Sequence, residues 1–315
     1  MLGVQATAEP VVPAVLAREI RELGSVHTLY TSGDYVVLVA ACHAIPHVMK
    51  EIGRLREVSF RAVGEGTGKA LDLDEYDEWY QQLFVWQPST QQILGAYRLC
   101  MTDVVRRRHG DAGLYTSSLF AFGQGFLDEL GPAIELGRSF VRPELQGAGR
   151  VLALLWRGIG HLLAARPRYR RLFGPVSVSA SYTEASRQLI AASLCQGQHR
   201  HALALHVQPL HPVQLTGTLA VEADTKQLSR RVAELEADRK GLPILVKEYV
   251  KLGGQFLAFS VDPAFQAALD GLVVVDLDRT SSRLLSLYMG PESYERFVQY
   301  RAPARPVPDL PSLTG

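Results

Sequence analysis

The sequence predicts an α/β or α+β fold, a sheet with helices on both faces. Three observations carry that prediction. Short β-branched runs such as Tyr35-Val36-Val37-Leu38-Val39-Ala40-Ala41 have the length and composition of buried strands. Runs with apolar residues at near-helical spacing stand among them. Hairpin turns also join some strands, so strands and helices mix rather than strictly alternate.

Composition narrows the class. The chain has 315 residues, 47% hydrophobic and 21% charged, enough for one large domain or two small ones. A formal net charge of +1 gives no global field for nucleic acid. Cys42, Cys100 and Cys195 lie far apart without C-x-x-C spacing, which argues against a disulfide framework or a zinc site and for a reducing compartment. No basic-then-apolar signal opens the chain. Its most apolar run, Tyr35 to Ala44, is about half of what a membrane span needs. The expectation is a cytoplasmic protein, peripheral at the inner membrane face at most.

Taken in order, residues 1–30 are weakly patterned and read as an N-terminal arm. After the Tyr35–Ala41 strand, Pro46 opens a helix carrying Val48, Ile52, Leu55, Val58 and Phe60. It stops at Gly64-Glu65-Gly66-Thr67-Gly68-Lys69. This is no P-loop, because Val63 stands where the first glycine belongs and Ala70 where Ser or Thr would bind magnesium. A flexible loop is expected. An acidic stretch, Asp72 to Glu78, precedes two strands, Gln82–Trp86 and Gln92–Leu99, joined by a turn at Gln87-Pro88-Ser89-Thr90. Residues Ser118 to Leu130 read as helical. A strand ending at Phe140-Val141, a turn at Arg142-Pro143, a glycine-bearing loop and a helix to Pro167 follow. Then come a strand (Arg171–Ser179), a helix (Thr183–Leu194) and an irregular stretch holding His199, His201, His206 and His211, which lack metal-site spacing. Helices at Thr225–Lys240 and Pro243–Leu252 precede strands at Gln255–Ser260 and Gly271–Leu277, and a Pro-rich end reads as a tail.

Strand, amide-rich loop, helix offers free backbone N–H groups and a positive helix end to an anion. The loop Gln146-Gly147-Ala148-Gly149-Arg150 matches the Q/R-x-x-G-x-G/A pattern of the GNAT acyltransferase superfamily, except that Val151 holds the last position. The resemblance implies a central mixed, mostly antiparallel sheet flanked by helices. It also implies that Phe140, Val141, Arg142, Gln146, Gly147, Ala148, Gly149 and Arg150 hold the phosphate of coenzyme A or of acyl-carrier-protein phosphopantetheine.

A second set of residues narrows the resemblance. Arg56 and Phe60 lie four apart on a helix; Asp72, Asp74 and Asp77 follow, then Arg98, Glu135 and Arg138. This series is similar to the charged cluster of the acyl-homoserine lactone synthases. The tryptophan those enzymes carry downstream of the phenylalanine is absent, which counts against the lactone reaction. Leu55–Arg61, Gly95–Leu99 and Glu135–Glu144 most resemble the hemolysin-like, ornithine-lipid-synthase-like N-acyltransferases, over residues 35–290. Some members of that group carry a glycerol-phosphate acyltransferase domain; its H-x-x-x-x-D motif is missing here.

Acyl transfer to an amine needs a base, because an amine is mostly protonated at neutral pH. Glu135, on the strand leading into the loop, is the expected base. Backbone N–H groups of Phe140 to Arg142 would stabilise the oxyanion. Tyr182 is placed to protonate the leaving thiolate, as a tyrosine does in many GNAT enzymes. The aspartates and arginines would bind the acceptor or form a buried ion-pair network. Phe120, Phe122 and Phe126 would line an acyl tunnel or fill the core. Arg106–Arg108 and Arg166–Arg171 would receive acyl carrier protein or anionic lipid, or stand as solvated turns.

The expectation is a GNAT-like domain over residues 31–290, with a helical insertion near 222–252 and a tail at 291–315. It would move a fatty acyl group from acyl carrier protein, or acyl-CoA, to the amine of an amino acid, with no permanently bound cofactor or metal. Acetyl-CoA-dependent N-acetylation and a non-catalytic binding module are the alternatives.

Overall fold

The computed structural model describes residues 4–147, 149–214 and 221–300. Its strands are β1 (Thr28–Ser32), β2 (Tyr35–Ala41), β3 (Gln81–Gln87), β4 (Gln92–Met101), β5 (Phe120–Phe122), β6 (Ala133–Val141), β7 (Arg171–Val178), β8 (Val207–Pro209), β9 (Gln255–Asp262) and β10 (Ala268–Asp276). Its helices are α1 (Pro13–Leu23), α2 (Pro46–Ala62), α3 (Thr102–His109), α4 (Phe126–Leu130), α5 (Arg150–Ala165), α6 (Glu184–Leu194), α7 (Thr225–Leu235), α8 (Ile244–Lys251), α9 (Ser282–Met289) and α10 (Pro291–Gln299).

The main sheet runs β1-β2-β3-β4-β6-β7-β10-β9, with every neighbouring pair antiparallel except β6 and β7. Strand alternation explains why both faces are apolar. Val37, Val39, Leu83 and Val85 face Leu155, Ile159 and Leu162 of α5, while Leu38, Ala40, Phe84 and Trp86 face Ile52 and Leu55 of α2. Proline at the first turn of α1, α2 and α10 starts those helices, where a missing N–H costs nothing.

Four expectations are corrected. Residues 1–30 are no arm: Leu16 and Ala17 of α1 pack into the core beside α2, and β1 pairs with β2. The Glu19 carboxylate accepts the N–H of His47 at 3.0 Å and of Val48 at 2.7 Å, so α1 caps α2. Ser118–Leu130 is helical only in α4; β5 pairs instead with β8, from the stretch that reads as irregular. The loop after α2 is tied down, since Glu57 accepts from Thr67 and Gly68. The tail begins later than 291, because α10 buries Phe297 against the core; residues 301–315 lie outside the described residues. Helices α7 and α8 occupy the stretch expected as an insertion.

The site-forming feature is a split in the sheet. β6 pairs with β7 only from Ala133↔Arg171 to Glu135↔Phe173. Beyond that, β6 stays with β4 as far as Val141↔Gly95, and β7 stays with β10 as far as Val178↔Leu269. Gly174 lies where they part, and a Cβ there would overlap the Leu136 carbonyl oxygen. The register of β4 and β6 slips between Ala96 and Arg98, and Arg138 in that bulge has φ of 47°. The bulge turns β6 away from β7.

Candidate active site

A cavity of about 740 Å3 fills the split. Its lining includes the loop and first turn of α5 and carboxyl groups of β9, β10 and the loop after α2. Phe60, Val63, Val176, Leu245 and Phe265 give it apolar walls.

The α5 end has the features of an anion cradle. Gly147 and Gly149 have φ of 95° and 67°, conformations that glycine reaches without strain. Ala153 N–H donates to Gly149 O at 3.0 Å, which leaves the N–H groups of Arg150, Val151 and Leu152 as the open first turn. Gln146 Nε2 donates to Val141 O at 3.0 Å and closes the loop onto β6. Val151, the departure from the loop pattern, packs beside Gly95: a Cβ at position 95 would lie 3.1 Å from Val151 Cγ1 and 2.7 Å from Phe140 O. The larger side chain at 151 therefore fits because position 95 has none. Ala148 lies outside the described residues. One expected oxyanion donor is excluded, since Arg142 N–H already donates to Leu94 O at 3.0 Å. The alternation of the strand turns the Val141 N–H to the side of the split.

Glu135 is not on the cavity wall. It is 1% exposed and accepts hydrogen bonds from Tyr80 Oη and from Thr116 N–H (2.8 Å). Burial pushes its pKa up, against the pull of those bonds. The expectation of a base at Glu135 is corrected, because its carboxyl group is enclosed by the donors of Tyr80 and Thr116 and does not reach the cavity.

The charged series comes together, mostly as a buried network. Arg56 Nη1 donates to Asp77 Oδ1 at 2.9 Å and Arg56 Nη2 to Gln82 Oε1 at 2.7 Å. Arg98 pairs with Asp74 and Asp77, and its guanidinium lies over the rings of Tyr76, Tyr80 and Tyr115. Arg138 lies 3.3 Å from Asp72 and 3.0 Å from Asp74. Of the series, Arg138 alone lines the cavity. It donates to Tyr115 Oη at 3.0 Å and lies over Phe265. Its neighbours Asp72, Tyr115 and Asp74 raise its pKa against desolvation.

Tyr182 does line the cavity. Its hydroxyl donates to Gly241 O at 2.8 Å, and burial pushes its pKa up to about 12. Phe120 and Phe126 are core residues, with Phe122 packed against them, and none lines the cavity, so they form no acyl tunnel. Several arginines of the basic runs are in ion pairs: Arg106 with Asp111 and Asp128, Arg107 and Arg168 with Asp103, and Arg170 with Asp278.

Sequence reasoning missed four cavity carboxyls, Glu65, Asp238, Asp262 and Asp270, of which Asp238 lies beside Lys240. Asp262 accepts from Tyr115 Oη at 3.2 Å and Ala264 N–H at 2.8 Å. Asp270 accepts from Ser177 Oγ at 2.6 Å. Burial pushes Asp270 up to about 7, with Asp262 adding to the rise. Glu65 rises to about 8, first through burial and then through the charge of Asp270. A signal existed for Asp270: it is a lone acid in the otherwise apolar run from Ala268 to Val275.

Comparison with known proteins agrees with this geometry. The acetyltransferase (GNAT) domain family matches residues 55–157. The chain is 39% identical over 219 residues to a glycine N(alpha)-acyltransferase of Phocaeicola vulgatus, covering 66% of this chain and 64% of that protein. It is 36% identical over 263 residues to a glycine N(alpha)-acyltransferase of Bacteroides thetaiotaomicron, covering 78% and 77%. An L-ornithine N(alpha)-acyltransferase of Rhizobium meliloti is 29% identical over 248 residues. No solved structure matches with significance. Among the described residues, no helix is long and apolar enough to cross a membrane.

Proposed function

Since the chain belongs to the GNAT-fold family of the glycine and L-ornithine N(alpha)-acyltransferases, we propose that it transfers a fatty acyl group from a carrier thioester to the α-amine of an amino acid. Glycine is the first acceptor to test, because the relatives named for it are the more similar. The observation that carries the reading is the cavity in the β6/β7 split. It joins an anion cradle, apolar walls and a carboxyl-lined end in one space. About 740 Å3 is in the range of sites that enclose a drug-sized ligand, and Phe60, Val63, Val176, Leu245 and Phe265 give an acyl chain an apolar surface to pack on.

In this reading the donor phosphate lies at the first turn of α5, on the N–H groups of Arg150, Val151 and Leu152. Phosphopantetheine then runs along the open edge of β6. The thioester carbonyl meets the Val141 N–H, which stabilises the oxyanion as the amine adds. Tyr182 lines the same space, and donation to the departing sulfur requires its hydroxyl to turn away from Gly241 O. Arg142 and Arg150, which flank the glycine loop, and Lys240 of the cavity lining would meet the acidic surface of an acyl carrier protein, and the apolar walls take the acyl chain.

The test is to incubate the chain with palmitoyl-acyl carrier protein or palmitoyl-CoA and single amino acids, following thiol release and product mass. N-palmitoyl amino acid with one released thiol per product is the expected result. No thiol release and no acylated product with any amino acid would sink the reading.

A further inference from the structure

We propose that Asp270 is the general base that takes the proton from the incoming amine, and that Glu65 passes that proton on to solvent. This rests on the acyl-transfer reading. Three features single out these two carboxyls. First, both line the cavity that the cradle residues also line. Second, the other acids near it are already occupied. Asp72, Asp74 and Asp77 are matched by Arg56, Arg98 and Arg138, Asp238 pairs with Lys240, and Asp262 takes two hydrogen bonds. Among the described residues Asp270 has one donor, Ser177, and the Glu65 carboxyl has none. Third, Ser59 Oγ on the same cavity wall is 2% exposed and has no hydrogen-bond partner among the described residues. An unpartnered buried hydroxyl suits a polar ligand there.

The groups that face Asp270 are Asp262 from β9, Arg138 from β6, Tyr115 from the segment before β5, and Glu65. Arg138 is already shared between two aspartates, so this end of the cavity attracts an ammonium group. Glu65 is held in place by its loop: Ser179 Oγ donates to Val63 O at 2.5 Å, and Gln266 Nε2 to Gly66 O at 3.2 Å. The raised pKa of Asp270, about 7 through burial first, suits a base working near neutrality.

The ammonium gives one proton to the Asp270 carboxylate. The neutral amine attacks the thioester carbon; the C–N bond forms and the carbonyl π pair moves to oxygen. Collapse restores C=O and breaks the C–S bond, and the second nitrogen proton goes to the thiolate. Asp270 returns its proton to solvent through Glu65, so one amide, one thiol and one free proton result.

The test uses the full chain with palmitoyl-acyl carrier protein and glycine across pH. Wild-type kcat/KM should rise through about pH 7. Asp270→Asn should lower kcat at least ~100-fold and lose that rise, with donor affinity and melting temperature kept. Hydroxylamine, an acceptor already neutral at the assay pH, should shrink the deficit to under ~10-fold, which a merely structural role would not do. Ser177→Ala removes a donor to the anion and should move the rise to higher pH. Asp270→Asn activity within about 3-fold of wild type, an equal loss with hydroxylamine, or a greater loss in Glu65→Gln would overturn the proposal alone. If Asp270→Asn does not fold, an unmoved rise in Ser177→Ala overturns it. A wild-type chain that makes no N-acyl product overturns the reading and this inference together.

Discussion

Asp77 shows how strongly single residues are coupled here. It is 5% exposed and joins Arg56 to Arg98. Burial alone would raise its carboxyl, but the two arginines outweigh burial and hold it at about 2. A depressed carboxyl stabilises the fold above its unfolded value of about 4. That contribution, on the order of 2 kcal/mol, is lost as pH falls from about 4 to about 2. Denaturant titrations should show stability falling across that window in wild type and a shallower fall in Asp77→Asn. The variant should also be about 3–5 kcal/mol less stable at pH 7, because two buried guanidinium groups lose a partner.

At the scale of elements, the sheet's split depends on Gly174. Any side chain there meets the Leu136 carbonyl and must push β7 from β6 just where pairing should end. Gly174→Ala is expected to cost about 2 kcal/mol or more by urea unfolding, and to weaken donor binding as the cavity mouth shifts. Gly33→Ala, with open space around it but a positive φ, should cost less. Most strands of the main sheet were legible in the sequence, since β2, β3, β4, β7, β9 and β10 carry β-branched or aromatic runs bounded by turn residues. β1 was not, because an edge strand of Thr28-Leu29-Tyr30-Thr31-Ser32 lacks an apolar run. The role of α1 was hidden because Glu19 finds its purpose only at the end of another helix.

For the whole molecule, the cavity in the split is lined by residues from α2, the α5 loop, the strands and the segment from Asp238 to Tyr249, so it draws on distant parts of the chain. The cradle was legible because its residues are consecutive. The carboxyl-lined part was not, because Glu65, Asp262 and Asp270 are distant in sequence and meet only in the fold. Glu135 misled for the same reason: its strand position fits a base, yet Tyr80 and Thr116 close around it. Leu245 of α8 lines the apolar wall. Leu245→Asp should raise KM for a palmitoyl donor ~10-fold or more, from the ~1.5–3 kcal/mol that such an apolar side chain contributes. A short-chain donor should be little affected, and steady-state kinetics over a chain-length series would show it.

The contact between Ser177 and Asp270 spans 93 residues. β6, the cradle and α5 are close neighbours along the chain, whereas β10 can join β7 only after a long segment has closed on itself. Closing such a loop costs chain entropy before any pairing rewards it, so this union should come late in folding. A refolding chain would then regain its grip on the donor before it regains turnover. In stopped-flow refolding, recovery of palmitoyl-CoA binding should run ahead of recovery of acyl transfer.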